Sequence, residues 1–401
     1  MKKMVLMAAF VAASAAFVAC SSNDDLVQQK PDVPEEQIEE GTPMKIIVSD
    51  LASRGTDLTA STLEGFTLYS TMSGWTSGKD LEKDNSGNWT TNDDLTWPDG
   101  NEYTFYGISD VDNLTKVTVG ANAVPQIPTV SENTVSFGYT MPQEEKTSAP
   151  GEYWCNSENL PDLLVSKNTG SSTLNDGALT VDFTHALAQI KAINIYANNT
   201  RLTAKGVTDG ATYRFRINGI RLGGLKYIGT YTFDANPAWV VSGADTEFTI
   251  PLDPTKLTFA DMSFQPGDTK ASGITLPLTD GGLYLIPQVA NGSFVKDEYD
   301  YYLSDGAYAE LDAQVFVYFD AAATAVNNKG KYKCPSSSTE VYFDETGSEN
   351  SQFGVIRVPL KFSLSPGYGY TLTLDLSRAA FYDGMFDGTA VFDGISFDSG
   401  S

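Results

Sequence analysis

Apolar and polar side chains alternate through this chain from about residue 44 almost to its end, with the two-residue period of half-buried β-strands. Lys45-Ile46-Ile47-Val48-Ser49 reads as a first strand, and Leu63-Glu64-Gly65-Phe66-Thr67-Leu68-Tyr69-Ser70 as a second. Trp89-Thr90 and Leu95-Thr96-Trp97-Pro98 bracket a loop, and Tyr103-Thr104-Phe105-Tyr106-Gly107-Ile108 is an aromatic-rich strand. The theme recurs at 213–217, 229–233, 283–287, 313–319 and 370–376, and the turns between are Asp-Gly, Asn-Gly and Pro-Gly. No helical apolar stripe of useful length follows the first 20 residues. The expected class is all-β, with sandwiches joined by Greek-key connections.

Two stretches are less regular. From Gly120 to Trp154 the prolines and polar residues suggest edge strands and loops more than a central sheet. Residues 178–197 alternate from Leu179 to Phe183 and again from Ile190 to Tyr196, as two strands or one long bent strand passing between domains. Ala186 to Lys191 is open to a helical turn instead, although six residues make no stable helix without tertiary support.

The N-terminus has a different pattern. Lys2 and Lys3 precede 16 residues, Met4 to Ala19, that are apolar except for Ser14, and Cys20 follows at once. The run falls short of the ~20 residues needed to span a bilayer and reads as a signal peptide over residues 1–19. Phe17-Val18-Ala19-Cys20 is a lipobox-like sequence, so Cys20 is the expected acylated N-terminus. Ser-Ser-Asn-Asp-Asp after it resembles the acidic export tag of surface lipoproteins in Gram-negative anaerobes. Residues 20–43, rich in Asp, Glu, Gln and Pro, form an acidic flexible tether. The expected location is the outer face of the outer membrane.

Charge and composition narrow the possibilities. The formal charge of −25 becomes −27 without Lys2 and Lys3, which argues against nucleic acid and anionic lipid as partners. Tyr and Phe together number 41, enough aromatic surface for a substantial core. Cys155 and Cys334 stand 179 positions apart, which excludes a disulfide framework and leaves open whether the two pair or remain thiols. His185 is the only histidine, and no Gly-x-Ser-x-Gly elbow accompanies it, so it reads as a hydrogen-bonded core residue rather than a catalytic base. No zinc ligand cluster, phosphate loop or dinucleotide fingerprint is present. Acidic loops at 110–113 and 297–300, and the Asp-Gly pairs at Asp383, Asp387 and Asp393, suit calcium only weakly, because turn chemistry explains them without a metal. Trp75, Trp89 and Trp97 can stack on sugars if exposed, with core packing the default. No enzyme activity is expected.

Four groups of residues, in order along the chain, carry a family resemblance: Tyr103-Thr104-Phe105-Tyr106-Gly107; Pro161-Asp162-Leu163-Leu164-Val165 with 181–190, Val-Asp-Phe-Thr-His-Ala-Leu-Ala-Gln-Ile; Leu283-Tyr284-Leu285-Ile286-Pro287-Gln288; and Pro366-Gly367-Tyr368-Gly369-Tyr370-Thr371-Leu372. Together with the lipoprotein signal they make the chain resemble the fimbrillin family, the lipoprotein pilins of type V pili. The resemblance implies two tandem transthyretin-like β-sandwich domains, which the pattern places at 44–185 and 186–401. It also implies cleavage after an arginine by a trypsin-like surface protease, loss of the first strand, and filling of the vacated groove by a strand from a neighbouring subunit. Arg54, before Gly55 and after the 45–48 strand, suits that cut. The C-terminal segment with Val391, Phe392, Ile395 and Phe397 is either the donor strand or the last strand of its own sandwich, since Asp393 interrupts its apolar face and Gly394 weakens it.

The resulting expectation is a shaft or tip subunit of a surface pilus with a role in adhesion. Its partners would be other pilus subunits, an arginine-specific protease, the outer membrane through the lipid, and an unidentified receptor, with no cofactor. The rival expectation is a monomeric surface lipoprotein that binds glycans.

Overall fold

The computed structural model describes residues 41–49, 62–92, 94–109, 129–130, 135–157, 160, 162–196, 212–256, 263–264, 273–279, 281–296, 302–318, 330–333, 340–343, 353–376, 379–382, 385–388 and 391–398. Among them the regular structure is β-strand, with short 3₁₀ turns at Asn175–Gly177 and Pro254–Lys256. The all-β expectation is met.

The first sheet has six strands in the spatial order Phe183–His185, Leu164–Gly170, Tyr103–Ser109, Gly65–Ser70, Lys79–Lys83, Trp89–Thr90, all antiparallel. Alternation along these strands sends side chains to two cores. Leu68, Phe105, Leu164 and Phe183 join a cluster with Trp75, Trp89 and Trp97 on one face. Tyr69, Ile108 and Val165 join a larger cluster on the other. Burial on both sides explains why Phe66 to Ser70 is an unbroken buried run. In the first core the rings meet edge to face: Phe66 with Trp89 at 4.7 Å, Phe66 with Phe183 at 5.0 Å, and Phe105 with Trp75 at 5.5 Å and Trp97 at 5.7 Å.

Two further sheets enclose the larger core. A seven-stranded sheet is centred on the strand Thr212–Thr232, which carries Tyr308–Tyr318, Val135–Thr140, Trp239–Thr249 and Ser263–Phe264 as antiparallel neighbours. A five-stranded sheet is centred on Ala188–Tyr196 and Gly369–Asp375, which run parallel to each other. Ile190, Ile193, Ile195, Leu372 and Leu374 from this sheet share a core with Ile217, Leu222, Leu311, Val358 and Phe137 from the other. This is sandwich packing.

Several expectations need correction in detail. The segment 213–217 and all of 229–233 except Phe233 are parts of one 21-residue strand, Thr212–Thr232. Irregularities in its register between Ile217 and Gly219, between Leu222 and Leu225, and between Lys226 and Ile228 carry the ladder past the glycines that break the apolar period. Within 178–197 the chain forms three strands, Ala178–Val181, Phe183–His185 and Ala188–Tyr196, and Ala186 to Lys191 makes no helical turn. The break at Asp182 lets the chain leave its neighbour at Lys45–Val48 and join Leu164–Gly170. Within 120–154, the strand Val135–Thr140 lies one place in from the edge strand Thr129–Val130, and its Phe137 and Tyr139 are fully buried.

Candidate assembly site

The segment leading into the first sheet is held by two different partners in succession. Thr42 and Pro43 pair antiparallel with Trp97 and Thr96, and Met44 N–H donates to Leu95 O at 2.8 Å. Lys45–Val48 then runs parallel to Ala178–Val181, in the register Lys45 with Ala178 through Val48 with Val181, and Ser49 N–H closes the ladder on Val181 O at 3.1 Å. Lys45–Val48 and Ala178–Val181 form a two-stranded sheet of their own.

Side-chain alternation fixes the segment in place. Met44 and Ile46 are each 6% exposed and enter the core containing Leu63, Phe66, Trp97, Leu179 and Val181, while Ile47, on the opposite side, is 40% exposed. Burial of the two inward side chains contributes roughly 3–6 kcal/mol. Trp97 forms part of the floor of this seat. It is 1% exposed, and its indole Nε1 donates to Gly177 O at 2.8 Å. Gly177 has a positive φ of 76°, and a Cβ there would lie 3.2 Å from Pro43 O, so glycine permits the close passage of the entering segment. The resulting seat is a strip of apolar floor beside a strand edge, chemically suited to hold a short extended peptide with apolar residues at alternate positions.

Other residues singled out by sequence have varied placements. Arg54 and Gly55 lie outside the described residues, between Ser49 and Thr62, as do Cys20, Cys334, and the acidic residues at 110–113, 297–300 and 383. The strand Val391–Asp398 pairs antiparallel with Gly369–Asp375 and stands at the end of the five-stranded order. Its register skips Asp393, so Phe392, Ile395 and Phe397 stand opposite Leu374, Leu372 and Tyr370. Trp75, Trp89 and Trp97 are all buried and offer no sugar-stacking platform.

His185 is buried, and its Nδ1 lies 2.6 Å from Asp162 Oδ2. Cys155 is a free thiol, fully buried, and burial pushes its pKa up, away from reactive thiolate. Among the described residues no group of three or more His, Cys, Asp or Glu side chains is placed to hold a metal ion, and no helix is long and apolar enough to cross a membrane. Sequence reasoning missed the seat's second wall, Ala178–Val181, and the roles of Trp97 and Gly177. The alternation at Leu179 to Phe183 marked a strand there, but nothing local marked its partner some 130 positions away.

No family model matches this chain, and no curated protein does. Its structural neighbours among solved proteins include a fimbrial protein from Bacteroides vulgatus, with 14% identity, a TM-score of 0.47, and coverage of 90% of this chain and 99% of that one. Another is the fimbrial anchor protein Mfa2 from Porphyromonas gingivalis, with 9% identity, a TM-score of 0.31, and coverage of 89% of this chain and 97% of that one.

Proposed function

We propose that this protein is a structural subunit of a cell-surface pilus, with a role in adhesion, and that it assembles by exchange of its first strand for one from a neighbouring subunit. The observation that carries this reading is the seat of residues 42–48. A short segment at the start of the described body fills an apolar groove, and the stretch that joins it to the rest contains Arg54. Cleavage between Arg54 and Gly55 separates the segment from the body covalently. Its release then uncovers Leu179, Val181 and Trp97 together with the unpaired edge of Ala178–Val181. A donated strand with apolar residues two apart restores both the burial and the ladder.

In this reading export is as a lipoprotein acylated at Cys20, with residues 20–43 as the tether, and the lipid holds the precursor at the outer membrane until the cut. The donor is the C-terminal strand containing Val391, Phe392, Ile395 and Phe397. Its place at the end of its sheet lets it leave without opening an interior ladder. The body is read as two tandem sandwiches, joined near His185, where the chain passes from the six-stranded to the five-stranded sheet. The resemblance in sequence supports the same reading.

The test is treatment of the precursor with an arginine-specific protease. The expected result is shortening at Arg54 and the appearance of SDS-resistant ladders, both absent in Arg54→Ala. A chain that is cut yet remains monomeric, or an Arg54→Ala variant that assembles normally, overturns the proposal.

A further inference from the structure

The seat of residues 42–48 sets a requirement, position by position, for any strand that fills it. Thr42, Pro43, Lys45 and Ile47 are exposed, Met44 and Ile46 are buried, and Val48 is half-buried against the same core. A replacement therefore needs apolar side chains at the places of Met44 and Ile46, and carries charge only at the exposed places. The ladder of Lys45–Val48 on Ala178–Val181 runs without a bulge. Its entry is narrow, because a Cβ in the place of Gly41 would lie 2.8 Å from Trp97 O.

Residues 391–399 read Val-Phe-Asp-Gly-Ile-Ser-Phe-Asp-Ser. In its own sheet this strand passes over Asp393 by a shift of register. On an unbulged ladder Asp393 must share a face with Val391, Ile395 and Phe397. Val391 or Asp393 in the place of Met44 would then bring the Asp393 carboxylate into the apolar core. Phe392 there would leave Gly394 in the place of Ile46, and Ala390 or Gly394 is too small for the place of Met44. Ile395 in that place meets every requirement. Phe397 then takes the place of Ile46, Ser399 takes the half-buried place of Val48, and Asp393 and Asp398 fall at the exposed places of Thr42 and Ile47. Gly394 takes the place of Pro43, where the entering segment passes close to Gly177. The same segment run in reverse would put Ser399, not Ile395, at the buried place of Met44.

We propose that the donor is a second copy of this chain, docked parallel to Ala178–Val181 with Ile395 in the place of Met44 and Phe397 in the place of Ile46. This inference rests on the strand-exchange reading and fixes its register. Phe392 would fall at the place of Gly41, where a side chain has no room, so the seated segment begins at Asp393 and Val391 lies outside it. Phe397 is larger than Ile46 and overfills its place, which favours the resident segment until cleavage frees it.

The test has two arms, both on the full chain after cutting with an arginine-specific protease. In the first, Thr180→Cys chains are mixed with Asp398→Cys, Ser396→Cys or Asp393→Cys chains, oxidised, and the linked peptides identified by mass spectrometry. Thr180 stands opposite Ile47, so the disulfide is expected with Asp398→Cys alone. In the second, a labelled peptide of residues 391–401 is titrated onto the cut chain. Ile395→Asp and Phe397→Asp in the peptide should each weaken binding by about tenfold or more, and Val391→Asp by less than about twofold. Linkage through Ser396→Cys or Asp393→Cys, or equal losses from Val391→Asp and Ile395→Asp, overturns the register and leaves strand exchange standing. Cut chains that take up neither the peptide nor one another overturn both.

Discussion

Glu310 is a buried carboxylate held between two arginines. It is 3% exposed, and it accepts from Arg357 Nε at 2.5 Å and from Arg221 Nη2 across three adjacent strands. Burial pushes its carboxyl up, but the hydrogen bonds from Arg357 and then Arg221, with their charges, outweigh it and hold the pKa below the ordinary glutamate range. A depressed folded-state pKa contributes stability that is present above the unfolded value, ~4.3, and is lost as pH falls through the folded one. Thermal melts should therefore fall off below about pH 4. Glu310→Gln should remove part of that acid dependence and lower stability near neutral pH by about 2–3 kcal/mol, discounted because both arginines are one-third exposed. An unchanged melt at pH 7 in that variant contradicts the account. Sequence showed Glu310 only as one acid among 51, because its two arginines lie 89 and 47 positions away.

At the scale of elements, the strand Lys45–Val48 was legible as a short β-branched run, Tyr103–Ser109 from its aromatic residues, and Gly65–Ser70 and Gly369–Asp375 from their alternation. Its partner was not. A parallel pair has no turn to announce it, so the match with Ala178–Val181 depends on where intervening strands put that edge. The long strand Thr212–Thr232 was misread as two for a related reason. Local period is lost at its bulges, whereas continuous hydrogen bonding across its neighbours preserves the strand. The seat makes a direct prediction. Ile46→Asp places a carboxylate in a wholly apolar cluster, at a cost of about 3 kcal/mol or more. The amides of Lys45 to Val48 should then exchange rapidly while those of Tyr103 to Ser109 stay protected, and Ile47→Asp, on the exposed side, should change neither. Equal exchange in the two variants removes the distinction between the two faces.

For the whole molecule, the two hydrophobic clusters share the six-stranded sheet, which sends alternate side chains to each. Loss of the first strand opens one cluster and leaves the other covered. Trp75, Trp89 and Trp97 all belong to the opened cluster, whereas Trp239 sits in the other and donates its indole N–H to Ala186 O at 2.7 Å. After cleavage at Arg54 and release of the segment, tryptophan emission should shift to the red, while exchange protection at Ile190 to Ile195 is retained. Loss of protection in both regions would show that the seat supports the entire body. By itself the sequence determined the β class, several of the longer strands, and the positions of Cys20 and Arg54 on which the expectations of lipidation and cleavage rest. Each is a local matter of period or motif, written within a few consecutive residues. Only the tertiary structure decided that residues 42–48 lie between 95–97 and 178–181, that the three tryptophans near the start are core, and that Glu310 stands between Arg221 and Arg357. Those facts depend on contacts between residues far apart in the chain, which the strand pairing alone brings together.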